Sequence, residues 1–219
     1  MKAYQDASLA PVRRAKALLE EMTLAEKIGQ LNQRLYGFRI YERKCVNGED
    51  TIELSEEFCQ EVEKYSGLGV LYGLYRADPW ADKNYETGLT GVLSKKAYNQ
   101  VQRYVLEHSR LGIPVMMSSE CPHGHQALDG YLLPVNLLAG ATFDPAMVRA
   151  AYRVSGRQLQ NMGVDLALMS MLDVLRDPRW GRSEECYSED PYLSARMAEA
   201  AVIGMQESGP EVVAKHFAA

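Results

Sequence analysis

The sequence predicts an α/β chain built on a parallel sheet. Short apolar runs alternate with helix-period segments along most of its length, as β-α-β-α. The strand-like runs are continuously apolar rather than alternating, which is the pattern of strands buried on both faces. Polar residues collect just behind these runs, where the C-terminal ends of successive strands would lie.

Ser8 to Met22 reads as a helix. Pro11 suits its first turn, and Val12, Ala15, Leu19 and Met22 share one face. Thr23-Leu24-Ala25-Glu26 is a capping-box pattern. A second helix is expected from Thr23, with Leu24, Ile28 and Leu31 turned inward, and a first strand near Gln30 to Leu35. Gly67 to Tyr72 is an apolar run bounded by glycine, hence a buried strand. Ser94 to Leu111 is helix-periodic through Ala97, Val101, Tyr104 and Val105, and Gly112 stops it. Ile113 to Met117 is the next strand. Asp144-Pro145 is an N-cap followed by a first-turn proline, opening a helix with Val148, Ala151, Tyr152, Ser155 and Leu159 in one stripe up to Gly163. Val164 to Met171 is a strand. Asp190-Pro191 repeats the cap, with Ala198, Ala201, Val202 and Met205 inward, and Val212-Val213-Ala214 opens a last strand. The reading comes to about five strands and four crossover helices. A doubly wound sheet and an eight-stranded barrel both satisfy this periodicity. No G-x-G-x-x-G or P-loop follows any strand, which weakens a nucleotide-binding version.

Bulk properties narrow the function classes. The chain has 219 residues, 47% of them hydrophobic, enough for one large domain or two small ones. A net charge of −5 argues against nucleic acid or an anionic membrane surface as partner. No apolar run approaches the roughly 18 residues of a membrane span. Met1 to Asp6 has no apolar core of the secretory type, so a cytoplasmic location is expected. Cys45, Cys59, Cys121 and Cys186 show no C-x-x-C spacing and read as free thiols of a reducing compartment.

Three constellations carry chemistry. Leu172 to Glu185 is rich in Arg and Asp ahead of a Glu pair, and Trp180 is held between Pro178 and Gly181. A solvated, salt-bridged loop is the plain reading. Yet arginine presents a planar fork of donors that suits two oxygens at once, such as vicinal sugar hydroxyls or a carboxylate. Lys215-His216 directly follows a buried strand, so both reach one ligand only if the backbone turns there. Otherwise Lys215 reaches solvent and His216 is satisfied in the core. Cys121-Pro122-His123-Gly124-His125 places His-x-His at a strand end, as barrel metallohydrolases do. A metal-dependent hydrolase using His123 and His125 therefore competes with a sugar-acting enzyme. A non-catalytic sugar-binding module, with Trp180 and Tyr187 stacking on rings, is the third class.

Several segments resemble glycoside hydrolase family 3, in family order over nearly the whole chain. Met22 to Leu31 is similar to the family's leading segment. Gly112-Ile113-Pro114 with Glu120-Cys121-Pro122-His123-Gly124 resembles its strand and acidic-x-x-His-Gly loop. Leu172-Asp173-Val174, Arg176-Asp177-Pro178-Arg179-Trp180-Gly181-Arg182 and Glu189-Asp190-Pro191-Tyr192 resemble its most distinctive stretch, and Lys215-His216-Phe217-Ala218-Ala219 its Lys-His-Phe strand end. Ser170-Met171, Cys186 and Ser188 depart from the usual residues of that stretch.

The resemblance implies a (β/α)8 TIM-barrel-like fold, incomplete, of which residues 1–219 hold about the first five βα units. Residues 1–35 would be the leading helices and first strand, and residues 36–219 the βα units, without the later strands or a second domain. It implies a retaining β-glycosidase of the β-glucosidase and β-xylosidase class that releases a terminal sugar from β-glycosides. Glu120, Arg182, Lys215 and His216 would hydrogen-bond the sugar. Asp173, Arg176, His123 and Trp180 would support them. No metal or other cofactor is implied. The nucleophile and the acid/base would lie beyond Ala219, leaving these residues inactive alone.

Overall fold

The computed structural model describes residues 2–217. The chain opens with α1 (Pro11–Glu21) and α2 (Leu24–Leu31). Both arms of the expected capping box form at α2. The Glu26 amide donates to Thr23 Oγ1 at 3.2 Å, and the Thr23 amide donates to Glu26 Oε2 at 2.8 Å. The inward face differs from the one expected. Leu24, Ile28 and Leu31 are exposed, as are Val12 and Leu19 of α1, whereas Glu26 and Gly29 are buried. Long-range contacts explain the turn of the helix. Glu26 accepts two hydrogen bonds from Arg110, at 2.9 and 2.7 Å, and Gly29 sits where a Cβ would lie 2.7 Å from that of Tyr65. Arg110 and burial act on Glu26 in opposite senses; the arginine prevails and holds the carboxyl down to about 2.

The strand expected near Gln30 to Leu35 does not form. Helix α2 continues to Leu31, and the chain then passes the sheet irregularly. Leu35 is buried, and Tyr36 makes one isolated parallel bridge to Tyr72. An antiparallel hairpin comes next, β1 (Tyr41–Val46) and β2 (Glu49–Leu54), which the helix and strand periods did not reveal. Its turn is Asn47-Gly48, with φ of 54° and 82°, the doubly left-handed geometry that this dipeptide favours. Helix α3 (Glu56–Tyr65) is capped by Ser55 and buries Phe58 and Val62.

The parallel sheet begins after α3. Strand β3 (Val70–Tyr72) leads through α4 (Gly91–Glu107) to β4 (Met116–Glu120). A short α5 (Asn136–Gly140) and a long α6 (Pro145–Asn161) lead to β5 (Leu166–Met171). Helix α7 (Pro191–Gln206) leads to β6 (Glu211–Lys215). The strands lie in the order β3-β4-β5-β6, all parallel, each beside its neighbour in sequence. Among the described residues the sheet thus has four strands joined by three helical crossovers, one strand fewer than the periodicity implied. Strand β4 starts three residues later than Ile113, since Pro114 has no N–H for the ladder. That shift makes Glu120 the last residue of the strand.

The Asp144 and Asp190 caps form as expected, each side chain accepting from a backbone amide of the first turn. Val148, Tyr152, Ser155 and Leu159 of α6 are buried, as are Ala198, Ala201 and Met205 of α7. These helices pack against each other and cover the sheet. The ladder between β5 and β6 shifts register between Leu168 and Ser170, just before the chain enters the polar loop. Such irregularities re-aim the side chains beside them.

Candidate functional site

Strand ends place the polar residues. Tyr72 ends β3, Glu120 ends β4 and Lys215 ends β6, so parallel neighbours deliver all three to one side of the sheet. They line a cavity of about 690 Å³, together with Arg76, Trp80, Arg182 and His216. Lys215 Nζ lies 3.0 Å from Glu120 Oε2, and Tyr72 donates its hydroxyl to Glu120 Oε1 at 2.9 Å. The Glu120 and Lys215 side chains are only 15% and 12% exposed, so this pair is largely shielded from water. Arg76 donates to the Tyr72 hydroxyl and to Asp78, the latter at 2.7 Å through Nε. Burial pushes the Asp78 carboxyl up, but Arg76 and the Ala81 amide outweigh it and hold it below the usual carboxylate range.

The loop behind β5 supplies the opposite wall. Arg182 grips Glu185 with two nitrogens, one contact being 2.7 Å, and its Nη1 lies 2.9 Å from His216 Nε2. Asp173 Oδ2 lies 2.9 Å from His216 Nδ1. A guanidinium only donates, so Nε2 accepts from Arg182 and Nδ1–H donates to Asp173. Both ring nitrogens are thereby committed, and the backbone turn after Lys215 that the sequence required is present. Burial raises the Glu185 carboxyl, and Arg182 outweighs it, leaving Glu185 below its ordinary value.

Glu120, Arg182, Lys215 and His216 are thus brought together, with Asp173 behind His216. Other expected residues stand apart. Arg176 is exposed on the loop and does not line the cavity. Trp180 is 41% exposed and also lies outside the lining, so the tryptophan at the cavity is Trp80. Tyr187 is fully buried, hydrogen-bonded near Tyr152, and presents no ring to a ligand. His123 does line the cavity, with Nδ1 buried and unpartnered. His125 points elsewhere: it is fully buried, its Nε2 2.9 Å from Ser119 Oγ and its ring edge-on to Tyr75. Burial lowers its pKa to about 4.

His123 and His125 therefore do not face one centre. Among the described residues no three His, Cys, Asp or Glu side chains gather as metal ligands. Purified protein is expected to carry no stoichiometric divalent ion. Elemental analysis finding about one metal per chain, lost on His125→Ala, would restore the metallohydrolase reading.

Arg76, Trp80, Tyr72 and Tyr36 were not singled out by the sequence reading, and Glu185 figured there only as part of the Glu pair closing the Leu172 to Glu185 stretch. A signal was available for two of them. Arg76-Ala77-Asp78-Pro79-Trp80 follows β3 with Arg, Asp-Pro and Trp in the same order as in Arg176-Asp177-Pro178-Arg179-Trp180 behind β5. Trp80 packs edge-to-face with Tyr36 and Phe38, at 5.0 and 5.1 Å, and the Arg76 guanidinium lies 4.5 Å from its ring.

Chemically, the cations Arg76, Lys215 and Arg182 are each matched by a carboxylate: Asp78, Glu120 and Glu185. A rim of paired donors and acceptors beside aromatic rings suits a neutral, hydroxyl-rich ligand better than a phosphate or polyanion, which would need surplus positive charge.

Comparison with known proteins agrees with this chemistry. Residues 23–219 match the glycosyl hydrolase family 3 N terminal domain. A periplasmic β-glucosidase of Salmonella typhimurium is 30% identical over 92% of this chain, which covers 22% of that protein. A β-xylosidase of Formosa agariphila is 32% identical over 64% of the chain, covering 21% of that protein. Among solved structures, a β-glucosidase from Erythrobacter marinus superposes with a TM-score of 0.76 at 28% identity, over 99% of this chain and 27% of that one. A Listeria innocua β-glucosidase in complex with glucose gives 0.71 at 27% identity, over 93% and 26%. The chain spans about a quarter of the length of these relatives. Its fold is the TIM-barrel-like α/β arrangement of these neighbours, with the barrel not closed.

Proposed function

Because the chain belongs to glycosyl hydrolase family 3, we propose that its cavity binds the terminal sugar of a β-glycoside in a retaining β-glycosidase of the β-glucosidase and β-xylosidase class. One observation carries the reading: Glu120, Arg182, Lys215 and His216 come from three separate strand ends into a single cavity. Active sites of this architecture lie at the C-terminal ends of the strands.

The four residues act by positioning. Their hydrogen bonds to ring hydroxyls tighten as the sugar flattens toward an oxocarbenium ion, that of His216 by exchanging Arg182 for a hydroxyl at Nε2. Lys215 and Arg182 contact hydroxyls away from the anomeric carbon, where positive charge would oppose the transition state. Retention needs two further roles, a carboxylate that attacks the anomeric carbon and an acid that protonates the leaving oxygen, about 5–5.5 Å apart. Glu120 and Glu185 are each engaged by a cation, which suits holding a hydroxyl better than attacking carbon. We assign the nucleophile and the acid/base to carboxylates other than these two. The four cysteines are unpaired, in keeping with a reducing, cytoplasmic setting.

The test is hydrolysis of 4-nitrophenyl β-D-glucoside and β-D-xyloside by the full gene product, with the released sugar followed by NMR. Turnover with the β-anomer appearing first is expected. An α-anomer appearing first would remove the retaining mechanism. Sugar binding without turnover would favour a non-catalytic binding module.

A further inference from the structure

We infer that Arg76 is a positioning residue for Glu120 and acts through the hydroxyl of Tyr72. The inference rests on the sugar-cleaving reading of the cavity. It follows from which groups can donate. A guanidinium has five N–H donors and no acceptor. Arg76 spends Nε and Nη2 on Asp78 Oδ2, at 2.7 and 2.5 Å, and Asp78 is itself fixed by the Ala81 amide on Oδ1 at 2.8 Å. The remaining terminal nitrogen, Nη1, donates to the Tyr72 hydroxyl oxygen. That oxygen is then an acceptor toward Arg76, and its single hydrogen is left for Glu120 Oε1, 2.9 Å away. Nη1 itself is 3.7 Å from Oε1, beyond hydrogen-bond distance, so the directed contact runs through Tyr72.

Glu120 is consequently held at both oxygens, by Tyr72 from β3 and by Lys215 from β6. Each oxygen retains lone-pair capacity toward the cavity, where a sugar hydroxyl would donate. The Arg76 and Glu120 side chains are each 15% exposed, so water competes little with these contacts. Trp80 keeps the guanidinium in place. Its ring lies 4.5 Å from Arg76 and is itself packed on Tyr36 and Phe38. The arrangement repeats the logic of the opposite wall, where Arg182 sets the donor direction of His216 toward Asp173.

The test is a double-mutant cycle in the full gene product, read on 4-nitrophenyl β-glycosides. Tyr72→Phe keeps the ring and removes only the hydroxyl; it is expected to lower kcat/KM about tenfold, mostly in kcat. Arg76→Ala and Arg76→Lys are expected to cost about as much, because an ammonium cannot hold Asp78 and Tyr72 in one planar fork. In the Tyr72→Phe background, Arg76→Ala should cost less than about threefold more, because both changes cut the same relay. Fully additive losses, rescue by Arg76→Lys, or near-normal activity of folded Tyr72→Phe would overturn the inference. Absence of turnover in the unaltered gene product would instead remove the proposed function. The inference would then be decided by a crystal structure of the Arg76→Ala variant. Loss of the contact between Tyr72 and Glu120 is expected there, and its preservation would overturn the inference.

Discussion

Replacing Lys215 or Arg182 with alanine in the full gene product is expected to lower kcat/KM for an aryl β-glycoside at least about a hundredfold, or about 2.7 kcal/mol of transition-state binding. Each substitution also removes contacts that hold neighbouring cavity side chains in place. Without Lys215, Glu120 keeps the Tyr72 hydroxyl and the more distant Arg76, both at Oε1, while remaining largely buried. Its unpaired oxygen then carries a desolvation cost and is free to reorient. Without Arg182, Glu185 loses its bidentate partner and His216 loses the donor on Nε2. Asp173 still fixes the Nδ1–H tautomer, but Nε2 is left without its donor and that side of the ring is no longer anchored. Steady-state kinetics on variants whose circular dichroism matches the parent decide the matter. Near-normal activity in a folded variant would remove that residue from the sugar contacts.

The 219-residue chain by itself is expected neither to hydrolyse β-glycosides nor to melt sharply as a monomer. Among the described residues its parallel sheet has two free edges. β6 pairs only with β5, and beyond β3 there is just the single Tyr36 bridge. A closed barrel of this class has eight strands, and an open edge is a template for association. Large apolar side chains stand exposed, among them Leu24, Ile28 and Leu31 on α2 and Val12 and Leu19 on α1. At about 25 cal/mol per Å², a few hundred Å² of uncovered apolar surface forfeits roughly 10 kcal/mol. Whole-domain stabilities are only about 5–15 kcal/mol. Catalysis is expected to fail separately, because hydroxyl contacts without a free nucleophile give binding and no covalent route. A thermal melt with sizing chromatography tests the first half, and a 4-nitrophenyl glycoside assay tests the second. A sharp melt from a monomer would show that the open sheet is self-sufficient, and clear turnover would place a nucleophile within these residues.

What the sequence determined by itself was local. The Thr23–Glu26 box, the Asp144 and Asp190 caps and the buried stripe of α6 are set by chemistry within four residues of each other, and each stands where its pattern placed it. The gathering of Glu120 and Lys215 at one cavity was legible for a related reason. Glu120 and Lys215 close their strands, and a parallel sheet gathers strand ends on one side whatever its detailed packing. The Asn47-Gly48 hairpin was equally local and left an ordinary turn signature. The tertiary structure decided orientation. Periodicity found an apolar stripe on α2, but the helix turns Glu26 inward because Arg110, 84 residues on, meets it there. Two tryptophans follow Asp-Pro signatures behind two strands, and only the packing of Tyr36 and Phe38 brings Trp80 rather than Trp180 to the cavity. His123 and His125 are two residues apart, yet one lines the cavity and the other is sealed against Ser119 and Tyr75. Glu120 and Lys215 are 95 residues apart, and their pairing depends on β4 and β6 flanking β5. Short-range rules fix where an element starts and stops, whereas the face it turns and the partner it meets depend on groups that only folding brings within a few ångströms.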